Sequence, residues 1–222
     1  MTEESDEKKI GALLELVVHD LKSPVTGLRA NLGFVSAVAG QAEEVVEAIE
    51  DSEAALDQLL RGLEHLRWIG RALGDRPAIA PSLGDLRDAV RRGVAASGVE
   101  GVAIELPAEP VERRLGGAPI ETLVKLLVQS AGRHGRNVRV RMRDGDEIEV
   151  IDDGKAIPPE LRSRAFTADG QTEIKSHPQG RYELAAGLYA MGLLAVAAGG
   201  VLEAAGTDGA ALYRIRFLGD TD

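Results

Sequence analysis

Apolar residues fall into two helical stripes near the N-terminus and then switch to short alternating runs. Ile10, Leu14, Val17, Leu21, Pro24 and Leu28 recur at spacings of four and three, the period of a heptad seam. Val45, Ile49, Ser52, Leu56, Leu59, Leu63 and Leu66 repeat that spacing. The short Gly-containing connection around Ala39-Gly40-Gln41 predicts that the two helices form an antiparallel hairpin. One hairpin cannot bury both stripes. Two hairpins can, as a four-helix bundle about a two-fold axis, so the pattern predicts a homodimer. The alternative is that the hairpin packs on a second domain of its own chain.

Residues 73–82, Leu73-Gly74-Asp75-Arg76-Pro77-Ala78-Ile79-Ala80-Pro81-Ser82, break the helical period and the charge pattern together, which marks a linker. The predicted organisation is therefore a helical hairpin over 1–73, a linker over 74–82 and a second domain over 83–222. In that domain Leu86–Ala96 and Ile120–Ala131 carry helical periods, and Val102–Leu106 and Val111–Arg114 read as short strands. Asn137–Arg143 alternates, with Val138, Val140 and Met142 on one face; Asp144-Gly145 marks a hairpin turn, and Ile148 and Val150 continue the inward face. A short helix over Pro158–Ala165, a longer one over Tyr182–Ala197 and two closing strands, Gly200–Ala204 and Ala210–Phe217, complete the set. Helices with an antiparallel-rich sheet in this order predict an α+β chain whose second domain is a two-layer α/β sandwich.

Composition narrows the class. The chain has 222 residues, 44% hydrophobic and 28% charged, as a soluble globular protein has. Aromatic residues are 3%, so the cores must be aliphatic. There is no cysteine, hence no disulfide and no thiolate metal site, which suits a reducing cytoplasm. A net charge of -10 argues against non-specific binding to nucleic acid or anionic lipid. The row Arg139, Arg141, Arg143 faces Glu147 and Glu149 across the predicted hairpin, so cross-strand ion pairs account for it. Met1–Lys9 is charged and no signal peptide. Leu184–Leu202 has no charged side chain, but its Ala and Gly content reads as a buried core helix rather than a membrane span. No grouping of His and acids has metal-ligand spacing.

One side chain on the first helix carries chemistry. His19 lies two residues from Val17 and two from Leu21. At about 100° per residue it turns roughly 200° from Val17 and faces away from the seam. An imidazole offered to solvent on a rigid helix can accept a phosphoryl group; the same geometry also suits an ordinary surface histidine. Pro24, one turn on, removes a backbone hydrogen bond at a cost of about 3 kcal/mol, and a local bend beside a reactive group is one reason to keep it. His65 reads as lying on the polar side of the second helix. His134 follows a long helix, and His177 sits in the loop Ser176-His177-Pro178.

His19-Asp20-Leu21-Lys22-Ser23-Pro24 resembles the phosphoacceptor box of bacterial sensor histidine kinases, and the hairpin resembles their dimerisation domain. Residues 83–218 are similar to the GHKL-type ATP-binding domain. Val150-Ile151-Asp152-Asp153-Gly154-Lys155-Ala156-Ile157 stands where the family has D-x-G-x-G-I. The resemblance makes Asp152 the adenine-reading aspartate and Gly154 the first glycine of that box. Ser176-His177-Pro178 corresponds to the mobile ATP lid.

The departures fall on the phosphate end. The family's magnesium-holding N-L-L-x-N-A corresponds to Lys125-Leu126-Leu127-Val128-Gln129. A lysine cannot ligate magnesium, and glutamine is one methylene longer than asparagine. Ala156 replaces a glycine. The phosphate-cradling G-x-G-L-G-L corresponds to Glu183-Leu184-Ala185-Ala186-Gly187-Leu188, in which Gly187 and Leu188 alone survive and Glu183 brings a negative charge. Phosphoryl transfer from ATP is mostly positioning and charge neutralisation, so transfer from ATP is expected to fail. About a turn and a half of sequence precedes the seam, and no sensor domain is expected. The chain thus resembles kinase-derived histidine phosphotransferases, which shuttle phosphate between response-regulator receiver domains. His19 is the expected nucleophile. Asp20 would orient or deprotonate it, Lys22 would neutralise the phosphoryl group, and Ser23 would place a hydrolytic water. No cofactor is expected, ATP and magnesium entering under the alternative of a divergent kinase. A non-enzymatic adaptor that binds a receiver domain is the third reading.

Overall fold

The computed structural model describes residues 18, 21–22, 25–37, 43–74, 82–115, 117–143, 147–178, 181 and 186–217. The chain divides into two compact units, one of Met1–Asp75 with Leu184–Gly187 and a second of Arg76–Glu183 with Leu188–Asp222.

The first unit is helical. Residues 25–37 form α1, with residues 18, 21 and 22 also helical, and α2 is Glu43–Leu73. The two helices share a core of Val18, Val25, Leu56 and Leu63, against which Leu32, Leu60 and Leu66 pack. Arg29 and Asp57 add an ion pair at 2.9 Å on its exposed margin. This core corrects the seam read from sequence. On the first helix the inward stripe is Val18 and Val25, buried, and Leu32, partly buried, spaced by seven. Leu21 and Leu28 of the expected seam are 45% and 56% exposed. On α2, Ile49, Leu56 and Leu63 are buried while Val45 and Leu59 stay exposed. Each helix thus carries two neighbouring apolar stripes, and the hairpin uses one of them. His65 is a second correction: it is buried at 3% exposure, not on a polar face.

The second unit opens with β1 (Ser82–Asp85), α3 (Leu86–Ser97), β2 (Ala103–Glu105), β3 (Glu112–Leu115) and α4 (Gly117–His134). β4 (Arg139–Arg143) and β5 (Glu147–Asp152) follow, then a 3-10 helix, Pro159–Arg164, and α5 (Ala168–Ser176). α6 (Gly187–Ala197), β6 (Gly200–Thr207) and β7 (Ala210–Phe217) close the unit. The main sheet runs β2-β4-β5-β7-β6; β2 is parallel to β4 and every other pairing is antiparallel. Alternation puts Val140, Met142, Ile148, Val150, Tyr213 and Ile215 on the buried face. α4 packs on β5 and α3 on α4. A Cβ at Gly93 would stand 2.7 Å from both the Glu121 carbonyl and the Val124 Cβ, so the α3–α4 approach requires glycine there.

Three expectations change. Residues 82–85, assigned in part to the linker, form β1, which pairs antiparallel with β3 as a separate ribbon. α5, not expected from the sequence, ends at Ser176, where the loop matched to the lid begins. The uncharged stretch 184–202 divides: residues 182–185 lie outside the described residues, α6 has 11 residues, and β6 begins at Gly200. Among the described residues no helix is long and apolar enough to cross a membrane.

The opposite face of the sheet carries the charge rows. Glu149, 1% exposed on its side chain, is held by Arg141, by Arg143 at 3.2 Å and by Arg214 at 2.8 Å. Burial pushes its carboxyl up, but hydrogen bonds from Arg214 and Arg141 outweigh that and leave it below the ordinary range. Arg139 pairs instead with Glu105 at 3.4 Å.

Asp85 caps α3 by accepting from the Arg87 amide at 3.0 Å, and the Arg87 guanidinium grips the same carboxylate at 2.7 Å. The Arg87 side chain, against a smaller opposing push from burial, and the backbone amides of Arg87 and Val111 hold the Asp85 pKa down to about 2. A carboxylate depressed in the folded state contributes stability above its unfolded pKa, about 3.9, and loses it as pH falls through the folded value. Urea melts should therefore show Asp85→Asn less stable than wild type at pH 6, with the gap closing between roughly pH 4 and pH 2.

Candidate functional site

Of the residues matched to the phosphoacceptor box, Leu21 and Lys22 are described: both are helical and exposed. His19, Asp20, Ser23 and Pro24 lie outside the described residues, as do Glu183, Leu184 and Ala185.

Asp152 ends β5 on its inward face, in register with Ile148 and Val150, and is 1% exposed. A carboxylate taken out of water needs a cation or several donors, and Arg181 supplies the cation. Its Nη1 donates to Asp152 Oδ1 at 2.9 Å and its Nη2 to Oδ2 at 2.6 Å. The same Nη1 donates to the Lys155 carbonyl at 2.9 Å. Arg181 is itself 2% exposed, and its guanidinium carbon stands 5.0 Å from the Tyr213 ring centroid. Tyr213 meets Phe166 edge-on at 6.0 Å and accepts a long hydrogen bond, 3.5 Å, from the Ser130 hydroxyl. The fork is bidentate and charge-assisted, the strong form of a hydrogen-bonded pair. Both oxygens of Asp152 are engaged by Arg181, so another planar donor would compete with the guanidinium for this carboxylate.

The loop after Asp152 is pinned on both sides. The Gly154 amide donates to Asp152 Oδ1 at 2.9 Å, and Asp153 accepts from the Arg136 and Asn137 amides at 2.6 and 3.1 Å. Those donors, with the Asn137 side-chain amide, hold the Asp153 carboxyl below its usual range. On the other side Asp208 accepts from the Ala156 amide at 3.0 Å, and the Gly209 amide donates to the Gly154 carbonyl at 2.9 Å. A Cβ on Gly154 would collide with the His134 carbonyl. Glycine at 154 is thus explained by the close pass of the end of α4.

The segment matched to the asparagine box splits by face. The Gln129 side-chain amide turns to α3 and donates to the Ser97 carbonyl at 3.1 Å. Ser130, fully buried, is the α4 residue that faces the Tyr213–Arg181 stack. On α5, the Gln171 carbonyl oxygen accepts from the Leu188 amide at 2.8 Å and, weakly, from the Tyr189 amide at 3.4 Å. These amides open α6 and would otherwise be unsatisfied. A glutamine from α5 therefore sits where an anion would bind. Ala186, just before α6, has φ 58°, a left-handed backbone that costs a non-glycine residue about 1 kcal/mol.

Arg181, Gln171, Tyr213 and Ser130 were not singled out by sequence. A buried acid at the end of an alternating strand signals a required cation, but no spacing rule ties residue 152 to a loop residue 29 positions later. His177 Nε2 approaches Glu160 Oε1 at 3.6 Å, joining the end of α5 to the 3-10 helix. Among the described residues no group of three His or acids could hold a metal ion.

No protein-family model and no curated protein matches the chain. Solved structures do. The histidine kinase AdeS of Acinetobacter baumannii superposes with a TM-score of 0.53 over 91% of this chain and 98% of its own, at 16% identity. This chain has the histidine-kinase fold. Full-length ShkA, solved in complex with AMPPNP, matches that fold more closely, with a TM-score of 0.59 at 18% identity. The match covers 93% of this chain, which spans 46% of ShkA. In the histidine-kinase fold the helical region precedes the α/β unit, as the two units here do in sequence.

Proposed function

We propose that the chain is a histidine phosphotransferase of a two-component relay, carrying phosphate on His19 to or from receiver domains without ATP. The observation that carries this reading is the Arg181 fork on both oxygens of Asp152. The carboxylate that the resemblance assigns to adenine is neutralised from within the chain. The Gln171 cap at α6 and the loss of both asparagines point the same way.

The transfer then has simple chemistry. A ring nitrogen of His19 attacks the phosphorus of a receiver's aspartyl phosphate. The nitrogen–phosphorus bond forms as the bond to the aspartate oxygen breaks, and the carboxylate leaves. Asp20 is the group assigned to orient the ring and hold the proton on its other nitrogen. Lys22, exposed on the helix, is assigned to the charge on the phosphoryl oxygens. Ser23 keeps its assignment to water. The receiver brings the magnesium, so the reading requires no metal here. It places the chain in the cytoplasm with its receivers.

The same reading makes the protein a homodimer. The second stripe, with Leu21, Leu28 and Val35 on α1 and Val45 and Leu59 on α2, is 36–56% exposed, and a four-helix bundle buries two stripes per helix. Leu28→Glu with Leu59→Glu should convert a dimer to a monomer in sedimentation equilibrium while the α/β unit keeps its melt. An unchanged dimer would place the interface elsewhere.

Isothermal titration with magnesium-ATP tests the ATP-independent reading. The expected result is no saturable heat. A one-to-one isotherm would favour the divergent kinase.

A further inference from the structure

Two buried polar contacts lie at different places and together fix one segment. Arg181 reaches β5, where it satisfies Asp152 and the Lys155 carbonyl. Gln171, 7% exposed on α5, reaches the first amides of α6. Tyr213 is touched by Arg181 on one side and Phe166 on another. The segment from the 3-10 helix to α6 has further ties, Arg162 to the Ile157 and Gly206 carbonyls at 2.9 and 2.7 Å and Arg164 to Glu173 at 2.7 Å. Those ties are exposed or part-buried and are the ordinary kind that any helix and loop could make. The Arg181 and Gln171 contacts are buried, polar and directed at groups that a folded domain cannot leave without partners.

We propose that Arg181 and Gln171 form a two-point clasp: Arg181 ties its own segment to the end of β5, Gln171 ties α5 to the first turn of α6, and together they hold α5 and α6 in place by contacts within the chain. The inference rests on the ATP-independent reading, since both contacts engage groups that the resemblance assigns to a nucleotide. It adds that α5 is a fixed structural helix. The α/β unit then presents one constant shape to a receiver domain, independent of nucleotide level.

Amide hydrogen exchange read by mass spectrometry on the full chain tests this, in wild type, Arg181→Met, Arg181→Lys and Gln171→Met. Methionine preserves much of the side-chain bulk, and lysine keeps the charge while losing the fork. Exchange in α5 and in the first turn of α6 should rise roughly tenfold or more in Arg181→Met and Gln171→Met, with β4, β5 and β7 still protected. Arg181→Lys should fall between wild type and Arg181→Met, and it provides the readout if Arg181→Met does not fold. Unchanged protection of α5 and the α6 first turn in Gln171→Met and in the folded Arg181 variants would overturn the clasp. Adding magnesium-ATP to wild type in the same experiment separates the two claims. New protection on ATP would overturn the ATP-independent reading, whereas the variants without nucleotide judge the clasp alone.

Discussion

Asp152→Ala should destabilise the α/β unit by about 3–5 kcal/mol, because it leaves the Arg181 guanidinium buried without its anion. For a unit of this size that is a fall in melting temperature of roughly 10–20 °C. The size of the effect comes from the orphaned charge rather than from the pair's own worth. Taking two charges out of water costs nearly as much as their attraction returns, so replacing both partners with apolar residues is far milder. Asp152→Leu with Arg181→Met should therefore recover most of the loss. Thermal melts of Asp152→Leu, Arg181→Met and the double variant close a cycle. If Asp152→Ala melts with wild type, the pair does not govern this unit. The charge lattice on the other face should behave differently: Arg143, half exposed beside Glu149, should cost under about 1 kcal/mol on truncation.

Much of this fold was legible because its sheet alternates cleanly. Val138, Val140, Met142, Ile148 and Val150 name the buried face of β4 and β5 by parity alone, and all are buried. The cross-strand partners Arg141 and Glu149 follow from the same register. β1 escaped notice because Ser82-Leu83-Gly84-Asp85 has no alternation, and its pairing partner lies 30 residues away. α5 was missed because its buried residues, Gly170, Gln171 and Ile174, include a single apolar side chain. The helical hairpin misled in another way. Two apolar stripes lie side by side on α1, and a heptad count picks one without saying which faces the partner helix within the chain. Asp152 and Gly154 were named by resemblance, but their region's buried polar partners were not, because Arg181 and Gln171 come from segments without a repeating pattern. Gly154 proved to be set by packing against the end of α4.

His19→Ala should abolish phosphate uptake from a phosphorylated receiver domain, a loss of about a thousandfold or more, because the proposed relay carries the phosphate on that ring. The loss should appear without a change in receiver affinity or in the melting of either unit, as expected of a group that acts on phosphate rather than in a core. Asp20→Asn should slow uptake by about a hundredfold if the carboxylate handles the imidazole proton. An adaptor would behave differently: receiver binding would persist in His19→Ala, and wild type would drain no more phosphate than the variant.

The most direct test of the account follows one labelled phosphorus. Wild type is incubated either with magnesium and γ-labelled ATP or with a receiver domain labelled at its aspartate, and His19→Ala is run beside each. The account predicts label on His19 from the receiver within the mixing time and none from ATP. Label on His19 from ATP alone, with no receiver present, would contradict it.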